Sequence, residues 1–326
     1  MILTSAGAFA QRTDVAVLAN GDRITGEVMR LDRGRLEFKT DDAGTLYLEW
    51  DALVSVVTTR IVEVVSEDGT RRVGSLVPAA DWNIAVSTPG GTDSLPLAVI
   101  THIAPVGRGF WRQLEGSIDA GFSYSRSSGV AQLNVNSSTV YRRPAFKARL
   151  IAALTYTRQR DESERDDRGS VELGYRRFRW PRAFVGALAR FETNESVGLE
   201  LRSLIAAAVG PRLINTNRAE MFAGAGLAFN DERGVDVEPS QNMEGLLLFG
   251  LSYFTYDQPS TSMDIFLSYY PSPGRHRVQL DAGVRREIWK DLFVALNLYD
   301  TYDSEPPNPE ASTNDVGVML SIGWNY

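Results

Sequence analysis

The chain contains two histidines, His102 and His276, and no cysteine. Thiolate nucleophiles, disulfides and thiolate-ligated metals are therefore excluded. His276 follows Pro273, Gly274 and Arg275 at a tight turn, with Ser268 and Ser272 nearby in sequence. A serine–histidine hydrolase would need one of those hydroxyls within hydrogen-bond reach of the ring, and no G-x-S-x-G pattern accompanies them. His102 lies in an apolar segment between Ile100 and Ile103 and reads as structural. Two acidic groups stand out: Asp161, Glu162, Glu164, Asp166 and Asp167, then Asp231, Glu232, Asp236 and Glu238. They allow an alternative function, a membrane-embedded hydrolase with its site on external loops. The plainer reading is solvated loops that weakly hold divalent cations bridging lipopolysaccharide. Their spacing fits no EF-hand loop, and the sequence assigns no catalytic, cofactor-binding or metal-ligating residue.

A third set of charges is ordered by position. Arg149, Glu172, Arg176, Arg190, Glu192, Glu200, Arg202, Glu220, Glu244, Asp281 and Arg285 each fall on the parity opposite the apolar residues of their own segment. Both signs are interleaved. In a sheet this places them on one face, as a lumen charge network that either cross-links a plug or lines a narrow polar pore. On a lipid-facing side each would cost about 2–4 kcal/mol near the midplane.

The elements that must position them are long alternating strands. The last is the clearest: Val316, Val318, Leu320, Ile322, Trp324 and Tyr326 alternate with Asp315, Gly317, Met319, Ser321, Gly323 and Asn325. A dyad repeat ending on an aromatic is the pattern of the closing strand of an outer-membrane barrel. Leu320, Ile322, Trp324 and Tyr326 are the expected assembly signal. Similar strands begin near Ile118, Leu133, Phe146 and Val171 and recur to the end, giving about twelve over residues 110–326. The connections at residues 157–170, 230–241 and 302–314 are long and polar, whereas those at 142–145, 177–182, 211–217, 257–261 and 286–291 are short. Long external loops and short periplasmic turns are the asymmetry of such barrels.

Composition agrees. Hydrophobic residues are 43% and charged residues 23% of the 326, and no apolar run approaches the roughly 20 residues of a spanning helix. A net charge of −7 argues against a nucleic-acid partner.

Residues 14–105 follow a different pattern, with short β-branched strands and turn glycines. Asp68, Gly69, Gly74 and Leu76 repeat Asn20, Gly21, Gly26 and Val28 at an offset of 48 residues, and Leu97, Ile100 and Ile103 repeat Trp50, Leu53 and Val56 at 47. Two tandem SH3-like or Sm-like β-units are expected, at about 14–60 and 61–105; a plain β-sandwich is the alternative. Ala8, Phe9 and Ala10 form an A-x-A pattern, so residues 1–10 read as a truncated signal peptide.

The stretches Arg190, Phe191, Glu192, Thr193, Asn194; Leu199, Glu200, Leu201, Arg202; Gly210, Pro211, Arg212, Leu213, Ile214, Asn215, Thr216, Asn217; and Ala223, Gly224, Ala225, Gly226, Leu227, Ala228, Phe229 resemble the uncharacterised YdiY-like family of salt-induced outer-membrane proteins. The ending, with Tyr299, Asp300, Thr301, Tyr302, Asp303, Ser304, Pro306, Asp315, Val316, Gly317 and Trp324 to Tyr326, is similar to that family's last hairpin. The resemblance covers about residues 111–326 and implies an outer-membrane barrel, with no known substrate, cofactor or active residue.

The expectation is thus an all-β chain: a periplasmic tandem repeat, then a transmembrane antiparallel barrel of about twelve strands in the outer membrane of a Gram-negative bacterium. It would be non-enzymatic, either a narrow solute channel or an anchor for a periplasmic binding module. Its partners would be the lipid bilayer, lipopolysaccharide, the outer-membrane assembly machinery and an unknown periplasmic partner of the repeats. An epitope inserted at Glu162 or Pro307 should be labelled on intact cells, and one at Asn215 or in the repeats should not. The reverse labelling pattern would refute this orientation.

Overall fold

The computed structural model describes residues 12–107, 114–125, 130–143, 145–158, 167–180, 182–195, 198–235, 238–255, 260–289, 291–306 and 312–325. Residues 1–10, Asp161, Glu162, Glu164, Asp166, Asp236 and Tyr326, which the sequence singles out, lie outside them. The chain divides into two units, Met1–Arg108 and Gly109–Tyr326.

The first unit holds ten short strands: β1 (Asp14–Leu18), β2 (Arg23–Asp32), β3 (Arg35–Lys39), β4 (Thr45–Glu49), β5 (Leu53–Val57), β6 (Val62–Ser66), β7 (Arg71–Val77), β8 (Asn83–Thr88), β9 (Gly91–Pro96) and β10 (Ile100–Pro105). The two halves have the same pairings. β1 joins β2 and β5 while β6 joins β7 and β10, and each half runs on through a meander of three strands. A 3-10 turn precedes the last strand of each half, at Trp50–Ala52 and Leu97–Val99. The halves are fused, because β10 also pairs with β2 and the Trp50 indole donates to the Leu97 carbonyl at 2.7 Å. One apolar core runs from Ala16 and Val28 through Leu53 and Leu76 to Ile103. Gly26 and Gly74 hold equivalent places. A Cβ on Gly26 would stand 2.5 Å from the Lys39 carbonyl oxygen, and one on Gly74 2.0 Å from that of Ser87. Only glycine lets the strand fold back so closely.

The second unit is a closed antiparallel barrel of twelve strands in sequence order. They are β11 (Leu114–Ser125), β12 (Val130–Arg143), β13 (Phe146–Arg158), β14 (Arg168–Trp180), β15 (Ala183–Asn194), β16 (Leu199–Asn215), β17 (Ala219–Gly234), β18 (Ser240–Thr255), β19 (Thr261–Ser272), β20 (Arg275–Trp289), β21 (Leu292–Asp303) and β22 (Asn314–Asn325). Its outer face is an apolar belt that includes Ile118, Phe122, Leu150, Leu173, Ile205, Leu227, Leu247, Val284 and Val318, all exposed. Aromatics mark both rims. Trp180, Trp289, Trp324 and Tyr253 end their strands at the turn end, and Tyr156, Tyr269 and Tyr302 lie near the loop end. A continuous belt of this kind needs hydrocarbon around it, and aromatic girdles sit where hydrocarbon meets headgroups. The unit is a transmembrane β-barrel.

Several strands run longer than their sequence patterns predict. β17 extends to Gly234, β18 starts at Ser240 and β16 reaches Asn215, so the connections expected at 230–241 and 211–217 shrink. In β17 and β18 the extensions are mostly polar, and in β16 a register shift between Arg212 and Ile214 interrupts the alternation, so neither marks a strand in the sequence.

The sheet closes through a short seam, where Ser117, Ile118, Asp119 and Ala120 of β11 face Asn325, Trp324, Gly323 and Ile322 of β22. Asp119 is buried there. Its Oδ2 accepts from Asn136 Nδ2 at 2.9 Å and from Ser321 Oγ at 2.8 Å, which ties three strands together. Gly323 gives it room, since a Cβ there would lie 2.6 Å from that of Asp119 and 2.3 Å from the Phe293 ring. Asp119→Ala should leave Asn136 and Ser321 without their buried acceptor and cost about 1–3 kcal/mol. In cold gel electrophoresis the variant should lose its compact, heat-modifiable form at lower urea than the wild type. An unchanged midpoint would remove Asp119 from the closure.

Candidate functional site

The candidate site is the barrel interior. Period-2 alternation turns every second residue inward, and closure brings distant strands face to face. Three regions result.

Toward the loop end the charges form a dense lattice. Arg202 Nε meets Glu232 Oε1 and its Nη1 meets Glu192 Oε1, both at 2.6 Å, while Nη2 reaches Asp303 Oδ2 at 3.3 Å. Arg275 binds the same two acids, with Nη1 on Glu232 Oε2 at 2.7 Å and Nη2 on Asp303 Oδ2 at 2.5 Å. Asn230 Nδ2 donates to Glu232 at 2.7 Å. Beside this lattice, Arg277 grips Glu244 through bonds of 3.1 and 2.5 Å, and Arg190 holds Glu172 at 2.5 Å and also bonds Gln279. Arg168 Nη1 contacts Asp315 at 2.7 Å and its guanidinium lies 4.2 Å from the Tyr299 ring centre. Each of these arginines has at least one carboxylate partner, as buried charge requires.

The second region is apolar. Leu204, Ala206, Ala208, Ala228, Leu246 and Tyr270, with Leu188 and Leu248, pack on the inner wall of β15 to β19. Phe184 meets Phe222 edge-on at 5.6 Å, and Phe222 lies 6.3 Å from Phe266. The expected polar lumen is filled with hydrocarbon on this side.

The third region lies toward the turn end and is cationic. Arg142, Lys147 and Arg176 stand directly opposite one another on β12, β13 and β14. Glu220 sits among them, 3.5 Å from Lys147 and 4.0 Å from each arginine. Arg176 stacks 4.0 Å from the Phe222 centroid and Arg212 4.5 Å from that of Phe178. Arg285 donates to Asn325 at 3.3 Å and lies over Phe293.

Of the charges singled out by parity, Arg190 and Glu192, Arg202, Glu244 and Asp281 join the loop-end half, and Asp281 accepts from Gln279 at 3.2 Å. Arg176 and Glu220 belong to the turn-end group; Arg149 faces inward beside them and Arg285 lies against Phe293. Glu200 does not join either. β15 and β16 lose register there, with Glu192 opposite Arg202 but Asn194 opposite Leu199. The extra residue is a β-bulge that exposes Glu200 and turns Leu199 inward, where it is buried. Several of the strongest members were not identified by parity. Glu232, Asp303 and Arg168 fall in the connections expected to be long, Arg142 and Arg212 in those expected to be short, Arg275 at a turn, and Lys147 and Asp315 at strand ends. Continuing the alternation through polar residues would have found them.

His276 points outward. Its Nδ1 is 2.9 Å from the Tyr269 hydroxyl and the rings stack at 6.0 Å. Ser268 is buried on the inner face, and Ser272 Oγ is engaged by the Arg275 carbonyl at 3.2 Å. The structure therefore keeps His276 and Ser268 on opposite sides of the wall. Among the described residues no group of three or more His, Asp or Glu could hold a metal ion.

The family model described as "Protein of unknown function, DUF481" matches residues 118–326, most of the chain and nearly all of the barrel. The chain belongs to this family. No curated protein matches it. Similar solved structures include a bacterial polysaccharide outer membrane secretin, at 9% identity over 65% of this chain and 97% of that one, TM-score 0.35. Another is the translocator domain of autotransporter NalP from Neisseria meningitidis, at 10% identity over 65% of this chain and 87% of that one, TM-score 0.34. A third is the β domain of the Bordetella autotransporter BrkA, at 11% identity over 65% and 97%, TM-score 0.29. At these scores the likenesses decide nothing about this family member.

The Arg277–Glu244 pair offers a separable test of the interior. Arg277→Met alone should cost about 3–5 kcal/mol, because Glu244 is left buried and unpaired. Adding Glu244→Leu should recover most of that loss. Urea unfolding of the barrel in lipid vesicles reads both values, and additive losses would show that the pair is not coupled.

Proposed function

We propose that this protein is a non-enzymatic outer-membrane barrel of a Gram-negative bacterium. It anchors a periplasmic, SH3-like tandem domain that binds a partner of the cell envelope. The observation that carries this reading is the loop-end lattice of Arg202, Arg275, Glu192, Glu232 and Asp303, which bridges β15, β16, β17, β20 and β21 through contacts of 2.5–3.3 Å. Together with the apolar packing on the wall of β15 to β19, it is better suited to sealing the lumen than to passing solute. The two five-strand repeats with a shared core fit a binding module. The likeness to the salt-induced YdiY-like proteins belongs to the same reading, as do lipopolysaccharide around the external rim and recognition of Leu320, Ile322 and Trp324 by the assembly machinery.

A narrow solute channel is the second reading. It is favoured by Arg149 and Asp264, which alternate with lipid-facing residues and are nevertheless exposed inside the barrel. Planar bilayers separate the two. The wild type should show almost no conductance, and Arg202→Ala combined with Glu192→Ala should open steady currents. A conducting wild type would overturn the sealed anchor and leave the channel, with the same double variant then expected to shift ion selectivity.

A further inference from the structure

Charge is not spread evenly around the outer face of the barrel at its turn end. Next to the turns that follow β12 and β14, the outward side chains are Arg143, Arg177 and Arg179. The acids on β12 to β15 are Glu172 and Glu192, and both face the lumen, where Arg190 and Arg202 hold them. This sector of the outer face therefore carries no carboxylate among its described strand residues. On β16 to β22 the turn half of the outer face has Arg286 as its one cation among the described strand residues.

Strand pairing sets these arginines around an aromatic row. Arg143 is directly opposite Phe146 across β12 and β13, and Phe146 is directly opposite Arg177 across β13 and β14. One row toward the midplane, Tyr141 and Tyr175 flank Ala148. The Phe146 ring lies 5.7 Å from that of Tyr141 and 5.5 Å from that of Tyr175. Arg143 Nε donates to the Tyr141 hydroxyl at 2.9 Å, which holds its guanidinium against this row. A register shift between Arg177 and Trp180 leaves Arg179 and Trp180 both exposed, with the guanidinium 5.9 Å from the indole. Arg177 is exposed and makes no hydrogen bond or ion pair with any described residue. Its outward neighbours are Phe146, Ala148, Tyr175, Arg179, Val185 and Ala187, none of them acidic.

We infer that this face, with Arg143, Arg177 and Arg179 beside the row of Tyr141, Phe146 and Tyr175, docks an anionic phospholipid by its headgroup phosphate. A guanidinium fork pairs with phosphate oxygens through charge-assisted bonds. Basic clusters at a membrane surface draw anionic lipid in preference to zwitterionic lipid. A zwitterionic headgroup would bring a cation of its own into a patch of three cations and no acid. The rings lie on the lipid-facing side of the sheet, so acyl chains pack on them while the headgroup stays level with the arginines. A free phosphate would meet the arginines but leave the rings unused. The choice of phospholipid over lipopolysaccharide rests on the outer-membrane orientation proposed for the barrel, in which the turn end meets the phospholipid leaflet. Whether the lumen conducts does not bear on it.

The experiment is native mass spectrometry of the full chain released from a mild detergent after incubation with phosphatidylglycerol or phosphatidylethanolamine. The wild type should bind phosphatidylglycerol about tenfold more tightly than phosphatidylethanolamine. Arg143→Gln combined with Arg177→Gln should bring phosphatidylglycerol down to the level of phosphatidylethanolamine. Arg143→Lys combined with Arg177→Lys should keep most of the preference, because the charge remains. Arg286→Gln, on the outer face of β20, should leave it unchanged. Heat-modifiable mobility certifies that each variant is folded. Equal binding of the two lipids by the wild type would overturn the site, as would an undiminished preference in the folded double glutamine variant. Glycerol phosphate in excess should not displace the lipid, and displacement would overturn the part assigned to the rings. Epitope labelling reversed on intact cells would instead overturn phospholipid as the ligand, by placing this rim in the lipopolysaccharide leaflet.

Discussion

A sheet immersed in hydrocarbon can leave no backbone N–H or C=O unpaired, because water is absent and each orphaned group costs several kcal/mol. Most of the barrel follows from that constraint. The twelve strands must close, and closure here depends on a short register between β11 and β22. The side chains at the seam are correspondingly particular. Asp119 is a charged group buried where a lipid-facing reading would forbid one, and it is accommodated because Asn136 and Ser321 satisfy it and Gly323 gives it space. The same closure divides each strand into one face for lipid and one for the interior. The exposed leucines, valines and tryptophans and the paired arginines are two results of a single geometric rule.

Inside, the rule that buried charges need partners is met differently at the two ends. In the loop-end lattice, arginines share carboxylates through short forked contacts. At the turn end, Glu220 lies 3.5–4.0 Å from Arg142, Lys147 and Arg176, and arginines also stack on aromatic rings, with Arg176 over Phe222 and Arg212 over Phe178. Cation–π contact offsets part of the desolvation but does not neutralise the charge. The two ends of the lumen thus hold their charges through different kinds of contact.

The architecture was legible in the sequence because period-2 alternation survives averaging over a whole strand. Ile118, Ala120 and Phe122, or Val316 to Trp324, declare a face without any knowledge of neighbours. The interior was legible only in part. Parity places Arg190, Glu192 and Arg202 inward, but a single inserted residue reverses parity locally, and the bulge at Glu200 leaves no mark in composition. Leu188, Leu204 and Leu246 share the inward parity of the charged residues, yet they form an apolar wall. A lone leucine on a mostly polar face gives no sign that others across the sheet will join it. In the first unit the repeat could be read from Gly26 and Gly74, since backbone approach leaves glycine no substitute. The fusion of the two halves through Trp50 and Leu97 could not, because it depends on where the second 3-10 turn lands.

The pairing of particular charges is the least legible feature, and it separates one arginine from another. Arg202 and Arg149 occupy similar inward positions on alternating strands, and nothing in their local sequence tells them apart. Arg202 finds Asp303 at a separation of 101 residues, Arg168 finds Asp315 at 147, and Lys147 finds Glu220 at 73. These meetings are set by strand number, stagger and tilt, which belong to the closed sheet as a whole. The same geometry sets Arg149 directly opposite Gly174 across β13 and β14, with Glu172 and Arg176 diagonal to it. An arginine surrounded by acids, as Arg202 is, cross-links the lumen, and one directly opposite a glycine has no such partner in its own register. The interior chemistry of this barrel is therefore a consequence of its closure, not of any motif along the chain.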